Sequence, residues 1–324
     1  MLSMEKTSED TVNASTASFN GKLPLERVLG KYSRGRKGPA LIITADVLGN
    51  EFSGIWAFLN VLDSLTRLNL PIRGELTGLV GNVGSSRKGL LMGLNENPRY
   101  YMADGPLWDF GENQGYNEAV EFVELIEEFE KAQHAMITGV YYMDFKTGPL
   151  LKQPYICVSR DLNCLRFAEH LPFKIIKGLE DFITDHMGFY LNAKGYIGYT
   201  LKVGLSNSYS SREMQEAAIW LALVNCGCLD QQEVPYFSFY HNILNNSIEG
   251  KRATAFDVVY KYTIQEDEFF RMVPGYQNFQ KITKGELLAT SDGGPVISHW
   301  DGLIFMPVYH TQRQDGFFIL KEPI

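Results

Sequence analysis

The sequence predicts an α/β fold: a mixed, mostly parallel sheet covered by helices, followed by a small C-terminal all-β domain. Three observations lead there. Short apolar runs alternate with amphipathic stretches from about residue 39 onward, the pattern of strands joined by crossover helices. The first of these runs, ALIITADV, is apolar almost throughout, as in a strand covered on both faces. Beyond about residue 230 helical periodicity fades, and short strand-like runs punctuated by Gly, Pro and Asp follow.

Taken in order, ALIITADV is the first expected strand, and Ile55, Leu59, Leu62 and Leu65 put an apolar face on the helix after it. RGELTGLVGNV is a second strand. A long loop, residues 84–115, is rich in Gly, Asn and Pro, and loops of that length in compact domains usually carry function or move. EAVEFVELIEEFEKA is an acidic amphipathic helix with Val120, Val123, Ile126 and Phe129 on one side. AMITGVYYMDF and PYICVSR are strands; LNCLRFAEHL and DFITDHMGFYLNAKG are helix-like, the second closing on Gly195 as a C-cap. YIGYTLKVG is a strand, and SREMQEAAIWLALVNCGCL a helix opened by Ser210 or Ser211. DQQEVPYFSFYHN has little helical periodicity, and ATAFDVVYKYTI, FFRMVPGY, ELLATS, GPVISHW, GLIFMPVYH and GFFILK are the strands of the β domain. The expected division is a polar lead-in at 1–24, an α/β domain at 25–232 and a β domain at 233–324.

The 324 residues carry a net charge of −8, and the pI is near 5.4. That balance argues against a nucleic-acid partner, which needs a basic face. No apolar run reaches the roughly 18–20 residues that span a bilayer, and the polar N-terminus lacks the apolar core of a signal peptide. No membrane partner and a cytoplasmic location are therefore expected, with a small-molecule ligand as the partner the chain allows. Cys226 and Cys228 are not spaced as a redox or zinc pair, so free, buried cysteines are expected. The N-x-S triplets at Asn13 and Asn245 have no secretory context to make them glycosylation sites.

One turn stands out. ADVLGNEFSG (45–54) places a carboxylate, Glu51, where a buried strand passes into a helix, a common position for chemistry in α/β proteins, yet no histidine stands near it. LGNEFSG resembles the G-x-H-G-N-E-x-S-G turn of the succinylglutamate desuccinylase/aspartoacylase family, zinc-dependent N-acyl-amino-acid amidohydrolases with a carboxypeptidase-like fold. Further similar strings follow in order. GLNE (93–96) stands where the family has D-L-N-R, and MDFKTGP (143–149) where it has L-D-L-H-T-x-S-G-P. YTLKVG (199–204) stands where a strand carries the catalytic glutamate, with EAAIWLAL (216–223) similar to the helix after it. PGYQNFQKITKGELLA (274–289) and DGLIFMPVYHTQRQDGFFIL (301–320) resemble the family's C-terminal β domain. The resemblance covers about residues 25–320, and the C-terminal strings are its most specific part.

The resemblance implies a hydrolase of linear amides, but its chemistry does not carry over residue by residue. The first zinc-ligand histidine falls on Leu48, and the glutamate ligand is kept as Glu51. The third ligand falls on Lys146, or on Asp144 when counted back from the Gly-Pro without a gap; Lys146 is preferred because Met143, Asp144 and Thr147 then match as well. The catalytic glutamate falls on Lys202, and the substrate-carboxylate arginine on Glu96, with Asn95 beside it retained. Leucine has no lone pair, and a lysine ammonium donates but cannot ligate. One carboxylate does not hold zinc, which needs three protein ligands and an open position. No zinc cofactor is therefore expected. Two lysines near Glu51 would instead put positive charge where the family has metal, satisfying a carboxylate that could not otherwise stay buried and ionised. Glu96 reverses the charge of the substrate anchor.

Each of these residues also has a plain structural reading. Glu51 could be a helix N-terminal carboxylate, Lys202 could snorkel from a strand edge, and Glu96 could be a solvated loop charge. His186 lies near Glu180, Asp181 and Asp185 in a cluster of the sort usually solvated, His310 reads as structural, and Arg87, Lys88 and Arg99 as loop charges. Two functions remain. The chain is a non-catalytic binding or regulatory relative with its zinc and catalytic positions substituted, or it is an active amidohydrolase with a rebuilt site that uses other ligands or a low-pKa lysine.

Overall fold

Gly38–Ala45 is buried at every residue, and it becomes the inner strand that its unbroken apolar run predicts. The computed structural model describes residues 26–46, 51–83, 124–126, 136–148, 153–183, 187–205, 208–247, 254–309 and 315–322. The elements in order are β1 (Val28–Ser33), β2 (Gly38–Ala45), α1 (Phe52–Arg67), β3 (Glu75–Val80), β4 (Ile137–Thr147), β5 (Tyr155–Val158), α2 (Leu162–Ala168), β6 (Lys174–Lys177), α3 (Met187–Ala193), β7 (Ile197–Val203), α4 (Tyr209–Asn225) and α5 (Phe237–Asn246). The strands β8 (Ala255–Thr263), β9 (Phe270–Met272), β10 (Gln280–Ile282), β11 (Leu287–Ser291), β12 (Gly294–Ile297), β13 (Gly302–Phe305) and β14 (Asp315–Lys321) complete them.

The large sheet has the order β1-β3-β2-β4-β7-β5-β6-β8-β14-β13-β10. Its inner strands β3, β2, β4 and β7 run parallel, as strands joined through helices do; β5 is antiparallel to β7, and β6 is parallel to both of its neighbours, β5 and β8. The C-terminal strands β8, β14, β13 and β10 are antiparallel to one another. A separate three-stranded antiparallel sheet, β12-β11-β9, shares an apolar cluster with them through Met272, Leu288, Ile304 and Phe317. The expected fold class is the one that forms. Because β6 pairs with β8, the large sheet passes through the boundary expected between 232 and 233.

One face of the inner sheet carries Leu41, Ile43, Met143, Phe145, Tyr199 and Leu201 under α1, α2 and α4. On α1, Ile55, Leu62 and Leu65 are buried as their spacing predicts, joined by Phe58 and Val61. Gly54 sets how closely this helix approaches the sheet: a Cβ there would lie 2.9 Å from the Ala45 Cβ and 3.2 Å from the Phe145 Cβ. Gly54→Val should therefore overpack the start of α1 and cost about 1–3 kcal/mol, measured by urea denaturation; an unchanged midpoint would contradict this packing.

Three local expectations are corrected. The N-cap of α4 is Ser208, whose hydroxyl accepts from Ser211 N at 3.0 Å, not Ser210 or Ser211; the earlier serine is the one with extended backbone in front of the helix. The stretch after residue 230 contains α5, which its own periodicity does not announce. Packing makes the helix, with Leu244 buried and Tyr240 stacked on Trp220 at 5.8 Å. The helix expected to run from Asp181 to Gly195 is helical at Met187–Ala193, after a separate 3-10 turn at Leu179–Asp181. Gly195, at φ 85°, does close it as expected.

Candidate functional site

Strand alternation builds the site. On β4, Asp144 and Lys146 share a face; on β7, Thr200 and Lys202 do. The register sets Thr44 of β2 beside Asp144, Asp144 beside Thr200, and Lys146 directly beside Lys202. On the other side of β7, Cys157 pairs with Thr200 and Tyr155 with Lys202. A polar strip thus crosses four strands on the face opposite α1 and α4. It is flanked by one apolar cluster holding Ile42, Tyr142 and Leu191, and another holding Tyr155, Ile176 and Phe256.

The strip is internally bonded. Thr44 Oγ1 donates to Asp144 Oδ1 at 2.8 Å, and Thr200 Oγ1 to Asp144 Oδ2 at 3.2 Å. Lys146 Nζ stands 3.9 Å from Asp144 Oδ2 as an ion pair. The Lys146 side chain is only 4% exposed and that of Asp144 1%.

Glu51 lies beyond the C-terminal end of β2 and meets the last residue of β4. It is the N-cap of α1, but its side chain makes no capping hydrogen bond. Oε1 instead accepts from Thr147 N at 2.5 Å and Thr147 Oγ1 at 2.9 Å, across to the end of β4. Its own N–H donates to Asp46 Oδ1 at 2.6 Å. Asp46 sits at φ 54°, a left-handed conformation that Asp tolerates better than most residues. Glu51 thus stands at the start of a helix, as its plain structural reading has it, but its side chain is buried and bonded to another strand.

Burial pushes the Glu51 carboxyl up, while Lys146, the two Thr147 donors and Lys202 pull it back without cancelling the rise. Burial likewise raises Asp144, against Lys146, Thr44 and Thr200. Burial opposes the charge on Lys202, but Tyr155, Glu51 and Cys157 outweigh it and hold the ammonium above the ordinary lysine range. Tyr155 and Cys157 are themselves pushed up to about 12 by burial. Lys202 is half-buried on an inner strand, not on a strand edge.

These residues do not fit a zinc ion. Glu51 has one oxygen committed to Thr147, and the neighbouring strand positions present ammonium groups that donate and cannot ligate. Among the described residues no group of three or more His, Cys, Asp or Glu is placed to hold a metal. Leu48, Asn95, Glu96, Arg87, Lys88, Arg99, His186 and His310 lie outside the described residues. Glu180 and Asp181 are engaged by Arg160, through its backbone N–H and its guanidinium respectively. All four cysteines are free, and Cys226 Sγ lies 3.4 Å from Cys228 Sγ.

Sequence reasoning did not single out Asp46, Thr44, Thr200, Tyr155 or Cys157. Reading YYMDFKT and YTLKVG with a period of two would have placed Asp144 with Lys146 and Thr200 with Lys202. Tyr155 and Cys157 enter only through the antiparallel pairing of β5 with β7, which no local pattern encodes.

The mixed sheet, with helices on its inner strands and a small antiparallel sheet near the C-terminus, is a carboxypeptidase-like fold. Solved structures with this arrangement include a succinylglutamate desuccinylase/aspartoacylase from Rhodobacter sphaeroides, with TM-score 0.58, 13% identity and coverage of 89% of this chain and 87% of that one. They also include a succinylglutamate desuccinylase from Vibrio parahaemolyticus (TM-score 0.61, 12% identity, coverage 90% and 83%). A third is the product-bound ectoine utilization protein EutE (DoeB) from Ruegeria pomeroyi (0.55, 15%, coverage 88% and 86%). At such identities the likeness is one of fold. No family model matches the sequence, and no curated protein matches it. Among the described residues no helix is long and apolar enough to cross a membrane.

Proposed function

We propose that the chain is a cytoplasmic member of the succinylglutamate desuccinylase/aspartoacylase family whose zinc and catalytic positions are substituted, and that it works as a non-catalytic binding or regulatory protein for a small molecule. The observation that carries this reading is the side-by-side register of Lys146 and Lys202 next to a buried Glu51. Those are the third-ligand and catalytic-base positions of the motif resemblance, and both hold cations. The rebuilt-hydrolase reading needs a lysine that is neutral near pH 7 to accept a proton. The environment of Lys202 pushes the other way.

The test is elemental analysis of the purified full chain, combined with a hydrolysis screen over N-acyl amino acids. The expected result is no stoichiometric zinc and no turnover above the uncatalysed rate. One zinc per chain, or turnover lost on Lys202→Met, would overturn the reading.

A further inference from the structure

Two buried atoms in the polar strip have no hydrogen bond: Lys146 Nζ and Glu51 Oε2. Both residues are only 4% exposed. The other oxygens of the two carboxylates are committed. Thr147 takes Glu51 Oε1, while Thr44 and Thr200 take the two oxygens of Asp144. Among the charges around Glu51, Lys146 acts on it most strongly, yet the ion pair that Lys146 makes is with Asp144 and not with Glu51. A buried donor and a buried acceptor that act on one another electrostatically are therefore both left without a hydrogen bond. A buried polar atom left in that state is costly, and one missing group with both an acceptor and a donor would satisfy the two. Lys202 stands beside Lys146 by register, so it brings a second ammonium to the strip.

The charge pattern selects the ligand. A metal cation would be repelled by two ammonium groups. A fully deprotonated anion such as acetate would satisfy the lysines but set a lone pair against Glu51 Oε2. We propose that this strip binds a small oxyanion carrying its own hydroxyl group, with its anionic oxygens held by Lys146 and Lys202 and its O–H donated to Glu51 Oε2. The class includes monohydrogen phosphate and 2-hydroxycarboxylates. The inference rests on the substituted-site reading above and names the ligand chemistry of that same place.

Calorimetric titration of the full, metal-analysed chain tests it with four probes: inorganic phosphate, glycolate, sulfate and acetate. Saturable binding is expected for phosphate or glycolate, at least about tenfold tighter than for sulfate and acetate. Which of the two hydroxylated probes binds tells the phosphate source from the carboxylate one. Lys202→Gln should weaken that binding by about tenfold, and Lys202→Arg should retain it. Three results overturn the proposal: no saturable binding by either hydroxylated probe, as expected if a water alone bridges the two atoms; equal affinity for the controls; or binding unchanged in Lys202→Gln. Absence of binding to zinc-free protein removes this inference alone, whereas stoichiometric zinc removes the reading beneath it.

Discussion

Lys146→Met should lower the stability of the fold by about 3–5 kcal/mol, the usual cost of removing one partner from a buried ion pair. The substitution keeps much of the volume of the side chain, so the loss is electrostatic and not that of a cavity. Asp144 and Glu51 would remain buried without the cation that most strongly favours their charged forms. The deficit should also depend on pH. Both carboxyls already sit above their ordinary range in the folded chain, because burial outweighs the lysines; without Lys146 they rise further. A carboxyl raised on folding contributes its full stability below the unfolded value, near about 4, and loses it as pH rises through the folded value. The deficit of Lys146→Met against the parent is therefore largest at neutral pH and shrinks on acidification towards the unfolded carboxylate range. Chemical denaturation of both proteins across that range checks the sign. A deficit under about 1 kcal/mol at neutral pH, the value of an exposed pair, would refute the buried assignment.

The second large effect is a gain. The triple substitution Leu48→His, Lys146→His and Lys202→Glu should give a chain that binds a single zinc, against the zinc-free parent proposed above. Two imidazoles and the Glu51 carboxylate form a three-ligand set of the kind catalytic zinc sites use, with a fourth position left for water. Lys202→Glu also removes an ammonium that would repel the ion and restores a carboxylate able to accept a proton from bound water. Elemental analysis gives the occupancy directly. Tryptophan fluorescence or melting with and without zinc reports whether binding stabilises the fold, as mass action requires for a ligand of the native state. A triple variant that folds and stays zinc-free would mean that these positions do not correspond to the ligand set, and the argument from Lys146 and Lys202 would fall with them.

Much of the fold was legible because burial leaves a local trace. β2 reads as an unbroken apolar run, since both its faces are covered, and α1 and α4 read as helices through their apolar spacing. Gly195 announced the end of α3, because few other residues adopt φ 85°. α5 was not legible. Its aromatic-rich segment becomes helical by packing on α4, and tertiary contact overrides a weak local preference. The short strands β1 and β6 went unread for a similar reason: each is held by its neighbour's ladder and has little pattern of its own.

By itself, the sequence determined which residue types occupy the motif positions: a carboxylate at 51, lysines at 146 and 202, and leucine at 48. That is a matter of composition, and no folding can turn an ammonium into a metal ligand. Only the tertiary structure decided that Lys146 and Lys202 are cross-strand neighbours, that Glu51 reaches over to Thr147 instead of capping its own helix, and that Tyr155 and Cys157 line the same strip. Those relations come from strand register and from an antiparallel neighbour brought in from elsewhere in the chain. Register is set by the packing of whole faces against the core and is not written in any short stretch of residues.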